Sequence, residues 1–363
     1  MGAGHDTVAA ELVRRARERG GDAVVVDMLA LLPYGLGHAL RRFYRGSVRH
    51  FPWAYAALYR FFLRPGPGRR PSGTPLARLA GGRLRELAER TDADVIVPVF
   101  HLGAQLTGHL RARGLLAVPS AVLVIDFVAH RQWVHPGNDQ YLCLTDDAAR
   151  AVRRSTGVPA RTCGPVVHPA FRAADAEGAV GWRRLFDRYA PGRTPVLLAS
   201  GAWGVASHLD STARLLTGHG FLPVVLCGGD GGLRRRLSRL PGVLALGWVT
   251  DMPSLLHAAR ALVDNAAGQT AVQALAAGLP VVGHRPIPGH GADGVRAMAA
   301  RGVSETAEDD AGLVAALRRL TPEGPARRAR VADGRALFRA DPLDVVLALA
   351  RTADRATAER GGG

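Results

Sequence analysis

Gly2-Ala3-Gly4-His5 stands directly ahead of a stretch with helical periodicity. Glycines let a backbone approach a ligand closely, and the free N–H groups of a helix start favour anionic or polar groups. An imidazole placed there can take a proton from a hydroxyl near neutral pH, acting as a general base. A surface histidine at a helix start is the plain alternative, and the motif alone does not choose between them. The second half of the chain carries turns suited to holding a phosphorylated ligand. Leu197 to Gly204 is an apolar run entering a small-residue turn, and Cys227-Gly228-Gly229-Asp230 is a strand end followed by glycines. Leu246 to Met252 then leads into a helix beginning near Pro253. Asp264-Asn265-Ala266-Ala267-Gly268-Gln269-Thr270 precedes a helix whose N-terminus could hold a diphosphate. Gly278 to Val282 and the loop Arg285 to His290 follow. Singly, each is an ordinary strand-to-helix turn. Their order and spacing together are far more specific.

The elements that must position these residues alternate between apolar strand-like runs and helical ones, which argues an α/β fold with parallel sheets. Strands are expected at residues 23–26, 94–99, 121–125, 140–144 and 162–163, then at 195–199, 222–227, 243–246, 261–264 and 280–283. Helices are expected at 7–19, 76–90, 147–156, 209–218 and 270–277. Residues 164–178 read as a linker, so two Rossmann-like halves are the simplest account, with ligands at the C-terminal ends of the strands. The expected division is 1–168, 169–335 and a C-terminal helix and tail, 336–363, returning toward the first half. The Gly-rich turn has no strand before it, although such turns normally leave a strand end. The expectation is that a first strand is missing and that an in-frame upstream start supplies it.

Composition bounds the rest. A chain of 363 residues suits two domains, each with its own core. No run of 18 apolar residues or secretory leader is evident, and the three scattered cysteines give neither a disulfide framework nor zinc spacing. These features suggest a cytosolic protein. The formal net charge of +16 rests on arginine alone, since lysine is absent. Between Met28 and Arg85 there are eleven arginines and no acidic residue, and nine of the 21 aromatic residues fall between Tyr34 and Phe62. Such a segment fits an anionic membrane surface, with Arg41, Arg42, Arg45 and Arg49 beside Trp53, Phe61 and Phe62 as contacts. Packing of the same aromatics inside the first domain is the alternative. No recognisable nucleic-acid readout module accompanies them. No helical histidine pair at i,i+4 spacing suggests a metal.

Taken in order, the glycine-histidine start, Ile125-Asp126 with His130, Trp133 and His135, and the segments GPVVHPAF, LLASGAWG, CGGD, LGWVTDM and NAAGQTAVQALAAGLPVV with PIPGH resemble the monogalactosyldiacylglycerol synthase family. That family is related to the transferase that adds N-acetylglucosamine to the lipid-linked peptidoglycan precursor. The similarity runs from Gly2 to about Gly302 and is densest from Leu246 to Gly289. It implies a GT-B fold, two Rossmann-like domains facing across a cleft. It also implies metal-independent, inverting transfer of a sugar from a UDP-sugar to a lipid hydroxyl, with diacylglycerol as acceptor. The UDP-sugar is a co-substrate and no cofactor is implied. The enzyme would sit peripherally on the inner face of the cell membrane.

The resemblance implies roles residue by residue. His5 matches the histidine of the N-terminal loop and would be the base or an acceptor-positioning group, with Gly4 beside it. Asp126 matches a family aspartate and is the other candidate base, and His130, Trp133 and His135 continue that motif on the acceptor side. Gly201 and Gly204 match the turn that opens the donor domain. Val249 would present backbone groups to the uracil edge. Gly268, Gln269 and Thr270 match the diphosphate-binding helix start, and His290 and Asp293 lie in the loop expected to face the donor sugar. Two positions depart from the pattern. Gln273 stands where a glutamate usually holds the ribose hydroxyls, and Gly294 where an asparagine is usual. An amide can hydrogen-bond a diol without the charge-assisted strength of a carboxylate. A nucleotide-sugar-binding protein with weak or lost catalysis therefore stays open as the alternative.

Overall fold

The apolar runs of the second half become the strands of a six-stranded parallel sheet. β4 (Thr194–Ala199), β5 (Phe221–Leu226), β6 (Leu244–Leu246), β7 (Ala261–Asp264), β8 (Val281–His284) and β9 (Glu305–Ala307) lie in the order β6-β5-β4-β7-β8-β9. This reversal of strand order about β4 and β7 is the Rossmann arrangement. β5 is buried along its whole length, as a central parallel strand covered on both faces must be. Its Pro223 pairs with Val196 of β4, and the ladder to β6 begins only at Val224, so no β6 bond is lost to the missing N–H. β9 was not expected from the sequence. It is a three-residue edge strand carrying Glu305 and Thr306, with no apolar run to announce it.

The chain is described here from a computed structural model covering residues 3–50, 74–173, 175–199, 208–338 and 340–361. It divides into two compact units, Met1–Val166 with Phe338–Gly363, and Val167–Leu337. Each is a Rossmann-like α/β unit.

In the first unit, β1 (Ala121–Leu123), β2 (Gln140–Cys143) and β3 (Ala160–Thr162) form a parallel sheet in that order. Alternate residues serve opposite faces. Ala121 and Leu123 join Val8 and Leu12 of α1 (Ala3–Glu18) and Leu343 and Val346 of the C-terminal helix (Pro342–Gly361). Val122, Val124 and Tyr141 pack with Trp133, with Ala104 of α5 (His101–Ala112), and with Ala148 and Val152 of α6 (Asp146–Thr156). α6 has clear end signals. The Thr145 side chain accepts from Ala148 N, and Gly157 closes the helix at φ 73°.

Three local expectations fail. Residues 76–90 form two helices, α3 (Thr74–Arg78) and α4 (Gly81–Arg90), because the Gly81-Gly82 pair interrupts the run. Residues 23–26 are not a strand, since no neighbouring strand offers them hydrogen bonds, and 94–99 makes only an isolated bridge from Ile96 to Ser120. Cys143, Cys163 and Cys227 are free and buried, and burial pushes the Cys143 thiol up to about 12 and that of Cys227 up to about 11. They behave as small core residues, not nucleophiles. Among the described residues, no helix is long and apolar enough to cross a membrane.

Candidate functional site

His5 occupies the first turn of α1, and its Nδ1 lies 2.7 Å from the carbonyl oxygen of Val99. A carbonyl can only accept, so Nδ1 carries the hydrogen and the neutral ring keeps its lone pair on Nε2. The ring stands edge-on to Phe100 at 5.2 Å and lies 6.3 Å from Trp133. Burial pushes the His5 pKa below the usual histidine value, while the Asp126 carboxylate and the Val99 carbonyl pull the other way. The imidazole is therefore neutral at pH 7, and a nearby negative charge is ready to stabilise it once protonated.

Asp126 lies just beyond the C-terminal end of β1, where a Rossmann-like sheet presents its ligands. Its Oδ2 accepts a 2.7 Å hydrogen bond from Trp133 Nε1, and His130 Nε2 lies 3.8 Å from the same oxygen. Trp133 is fully buried and His130 nearly so. The structure thus gathers His5, Asp126, His130 and Trp133 into one group. His135 has other partners. Its backbone exchanges hydrogen bonds with the Tyr141 hydroxyl, its Nδ1 accepts from Gly137 N, and its ring lies so near Gly108 that a Cβ there would stand 2.5 Å from Nδ1. Desolvation, then the charge of His109, lower the His135 pKa.

The helix α5, which was not among the helices expected from periodicity, holds this loop in place. His101 packs edge-on to His130 at 5.3 Å and to Trp133 at 6.3 Å. One turn on, buried Gln105 donates through Nε2 to the carbonyls of Gln132 (3.0 Å) and Val134 (2.9 Å) and accepts from Thr74. Asn138 Nδ2 donates to Ala104 O at 3.0 Å. The spacing His101, Gln105, Gly108 places all three on one helical face. That stripe reads as a loop platform only once the loop is seen against it.

In the second unit, the turn after β7 is set by Asp264. This buried carboxylate accepts from the backbone N–H of Ala266 at 3.1 Å and of Ala267 at 2.6 Å, and burial pushes its pKa up against those bonds. Ala267 is held at φ 50°, a left-handed conformation that favours glycine. Gly268 follows as the N-cap of α11 (Gln269–Ala276) and brings no side chain of its own to the first-turn N–H groups. Gly268 is exposed, and Gln269, Thr270 and Gln273 are half-buried. The neighbouring loop interlocks with this one. Ile287 N donates to Asn265 O at 2.9 Å, and at the start of α12 (His290–Ala300) a Cβ on Gly291 would stand 2.9 Å from that oxygen. A Cβ on Gly294 would stand 2.8 Å from the Ala267 methyl, which explains why this chain lacks a side chain there.

His290 and Asp293 are half-buried in this region, and Asp293 pairs with Arg296. Val249 is half-buried beside an exposed Trp248. Gly201 and Gly204 lie outside the described residues, as do Trp53, Phe61 and Phe62. Of the arginine set, Arg41 is paired with Asp27 and Arg42 is exposed on α2 (Leu36–His50). That helix also carries Arg45 and Arg49, whose side chains are not described. Among the described residues no group of three or more His, Cys, Asp or Glu could hold a metal ion.

Comparison with known proteins bears out the resemblance read from the motifs. The family model described as monogalactosyldiacylglycerol (MGDG) synthase matches residues 5–167. The processive diacylglycerol beta-glucosyltransferase of Bacillus subtilis (strain 168) is 25% identical over 222 residues, 58% of this chain and 56% of its own length. The chain therefore spans little more than half of that relative. The protein of the same name from Bacillus cereus (strain AH187) is 24% identical over 373 residues, covering 95% of this chain and 90% of its own. Among solved structures, Acinetobacter baumannii MurG superposes with a TM-score of 0.55 at 12% identity, covering 98% and 96% of the two chains. The glycosyltransferase SnogD from Streptomyces nogalater gives 0.51 at 18% identity, covering 98% and 95%. The fold is that of the GT-B glycosyltransferases.

Proposed function

We propose that this chain, with its match to the MGDG synthase model over residues 5–167, transfers a hexose from a UDP-sugar to the free hydroxyl of diacylglycerol. The names of its Bacillus relatives favour glucose as the sugar. The observation that carries the reading is the His5 arrangement: a buried imidazole with Nδ1 tied to Val99 O and the Asp126 charge acting on the ring.

In the reaction, the acceptor hydroxyl oxygen attacks the anomeric carbon while the bond from that carbon to the diphosphate oxygen breaks. The hydroxyl proton passes to His5 Nε2, the nitrogen that Val99 leaves with a lone pair. The imidazolium that forms is stabilised by Asp126, which Trp133 holds through its indole N–H. The leaving UDP gains negative charge, for which the N-terminus of α11, with glycine as its N-cap, is a suitable site. A single displacement inverts the anomeric configuration. The exposed Arg42 and Phe43 on α2 support docking of this helix on an anionic bilayer, where the acceptor resides.

The test is incubation with UDP-glucose, UDP-galactose, UDP-N-acetylglucosamine and UDP-glucuronate in turn, with diacylglycerol in anionic vesicles. Products are read by mass and the anomeric configuration by proton coupling constants. A β-glucosyl diacylglycerol is expected. Tight UDP binding with no product from any donor would leave the chain a nucleotide-sugar binder.

A further inference from the structure

The backbone leaves β8 in a conformation that its own sequence opposes. Arg285, the first residue beyond the strand, is held at φ 47°. An L-residue in this left-handed region crowds its Cβ against the following carbonyl oxygen. The next residue is Pro286, whose ring pushes the residue before it toward extended backbone with negative φ. Chirality and the proline both act against the observed turn, so something beyond the local chain must hold it.

The Arg285 side chain is clasped on two sides. Its Nη2 donates to Asp310 Oδ1 at 2.9 Å and its Nη1 to Ser211 Oγ at 2.6 Å. Asp310 opens the helix Asp310–Leu320, and the same oxygen lies 3.3 Å from Nε2 of the buried His284. Ser211 stands in the first turn of the helix Leu209–Gly218, and its hydroxyl donates onward to His208 O at 2.9 Å. His208 is the N-cap of that helix and is itself left-handed, at φ 69°. One polar chain from Asp310 through Arg285 and Ser211 to His208 therefore joins the end of β8 to the starts of two helices. Leu209, Leu216, Leu313 and Leu317 pack both helices into one core, so the anchors of the clasp are rigid.

The direction taken at residue 285 decides where the next residues go. Ile287 N, two positions on, donates to Asn265 O at 2.9 Å, and Asn265 lies in the turn between β7 and α11 that also holds the left-handed Ala267. We infer that Arg285 is a positioning residue for the donor: the clasp of its guanidinium by Asp310 and Ser211 keeps the backbone left-handed at the end of β8 and so fixes the loop Pro286 to Gly289 against the turn before α11. The side chain acts through the backbone and not by a charge laid on the ligand. The word donor rests on the reading of this chain as a UDP-sugar transferase; the clasp and its hold on Ile287 do not.

The test compares Arg285→Ala with Arg285→Gly in the full chain. Both remove the clasp, but only alanine keeps the steric cost of a left-handed backbone, equivalent to roughly 5- to 30-fold in population. Glycine ordinarily loosens a loop more than alanine does, so glycine as the milder change is the distinguishing result. Arg285→Ala should weaken UDP binding in calorimetry and raise the KM for UDP-glucose, each by about tenfold, with a smaller change in kcat. It should also speed amide exchange at Ile287, measured without ligand, by about tenfold. Arg285→Gly should recover most of each effect. Asp310→Ala should act in the same direction in the parent chain and add little beside Arg285→Gly. Equal losses in the alanine and glycine variants, or a larger loss with glycine, would overturn the inference, because the side chain would then act by its charge or through the fold at large. Unmoved exchange at Ile287 in both variants would overturn it as well. A parent chain that transfers no sugar from any donor would sink the proposed activity instead, and the order of Ile287 exchange rates would still decide the role of Arg285.

Discussion

Asp126→Asn separates charge from hydrogen bonding at the centre of the proposed acceptor site. The amide oxygen can still accept from Trp133 Nε1, so the 2.7 Å bond and the loop it anchors should survive. Only the negative charge acting on His5 is lost. The side chain is 17% exposed, so that charge is only partly screened. Two unit charges about 4 Å apart interact by about 4 kcal/mol at an effective dielectric of 20, and somewhat less at greater separation. A loss of about 2 to 4 kcal/mol from the imidazolium-bearing transition state is a fall in kcat of roughly 30- to 1000-fold. The pH profile adds a second readout. Activity requires neutral His5, so kcat/KM should rise with pH through the His5 pKa, which burial places below the ordinary 6.5. Asp126 is one of the groups holding that pKa up, so its removal should move the acid limb to lower pH. The assay is steady-state transfer to a short-chain diacylglycerol from pH 5 to 9, with Tm measured alongside. A variant with wild-type kcat and an unmoved acid limb would remove Asp126 from the chemistry. A Tm loss of more than a few degrees with equal losses at every pH would make it a structural residue.

Further outcomes follow from the same geometry. His5→Ala should lower kcat by about two to four orders of magnitude, the usual worth of a general base, with UDP affinity by calorimetry unchanged. Gln105→Leu strands the carbonyls of Gln132 and Val134 and should destabilise the chain by about 2 to 5 kcal/mol in denaturant unfolding. Gly294→Asn should abolish UDP binding in calorimetry because of the Ala267 methyl, and adding Ala267→Gly should restore much of it, a non-additivity that two independent sites would not show. Replacing Arg42, Arg45 and Arg49 by serine should weaken sedimentation with anionic vesicles by about 100-fold, at roughly 1 kcal/mol per arginine. Arg41 is left out because Asp27 already holds it.

Periodicity and turn chemistry were enough to read five of the six strands of the second unit. Its strands at 194–199, 221–226 and 261–264 are apolar runs bounded by glycine or aspartate turns, and burial on both faces leaves such runs little alternative to a central parallel strand. His5, Asp126 and Trp133, which the structure brings together, could be singled out in advance because their residue types and order carry the family resemblance. What the sequence could not supply was any property made by two distant segments. Residues 23–26 look like a strand by composition, yet a strand exists only where a neighbour accepts its hydrogen bonds, and the described residues offer none. The tautomer of His5 is fixed by Val99, 94 residues away, and its lowered pKa by the packing that buries it. Gln105 is a helical residue among others until the carbonyls of Gln132 and Val134 are laid across it. Gly294 is a departure from a pattern until the Ala267 methyl is seen in the space a side chain would need. Local pattern determines which segments become strands and helices and which residue types stand at their ends. Close approach between segments, which depends on where every other side chain has packed, determines what those residues can do.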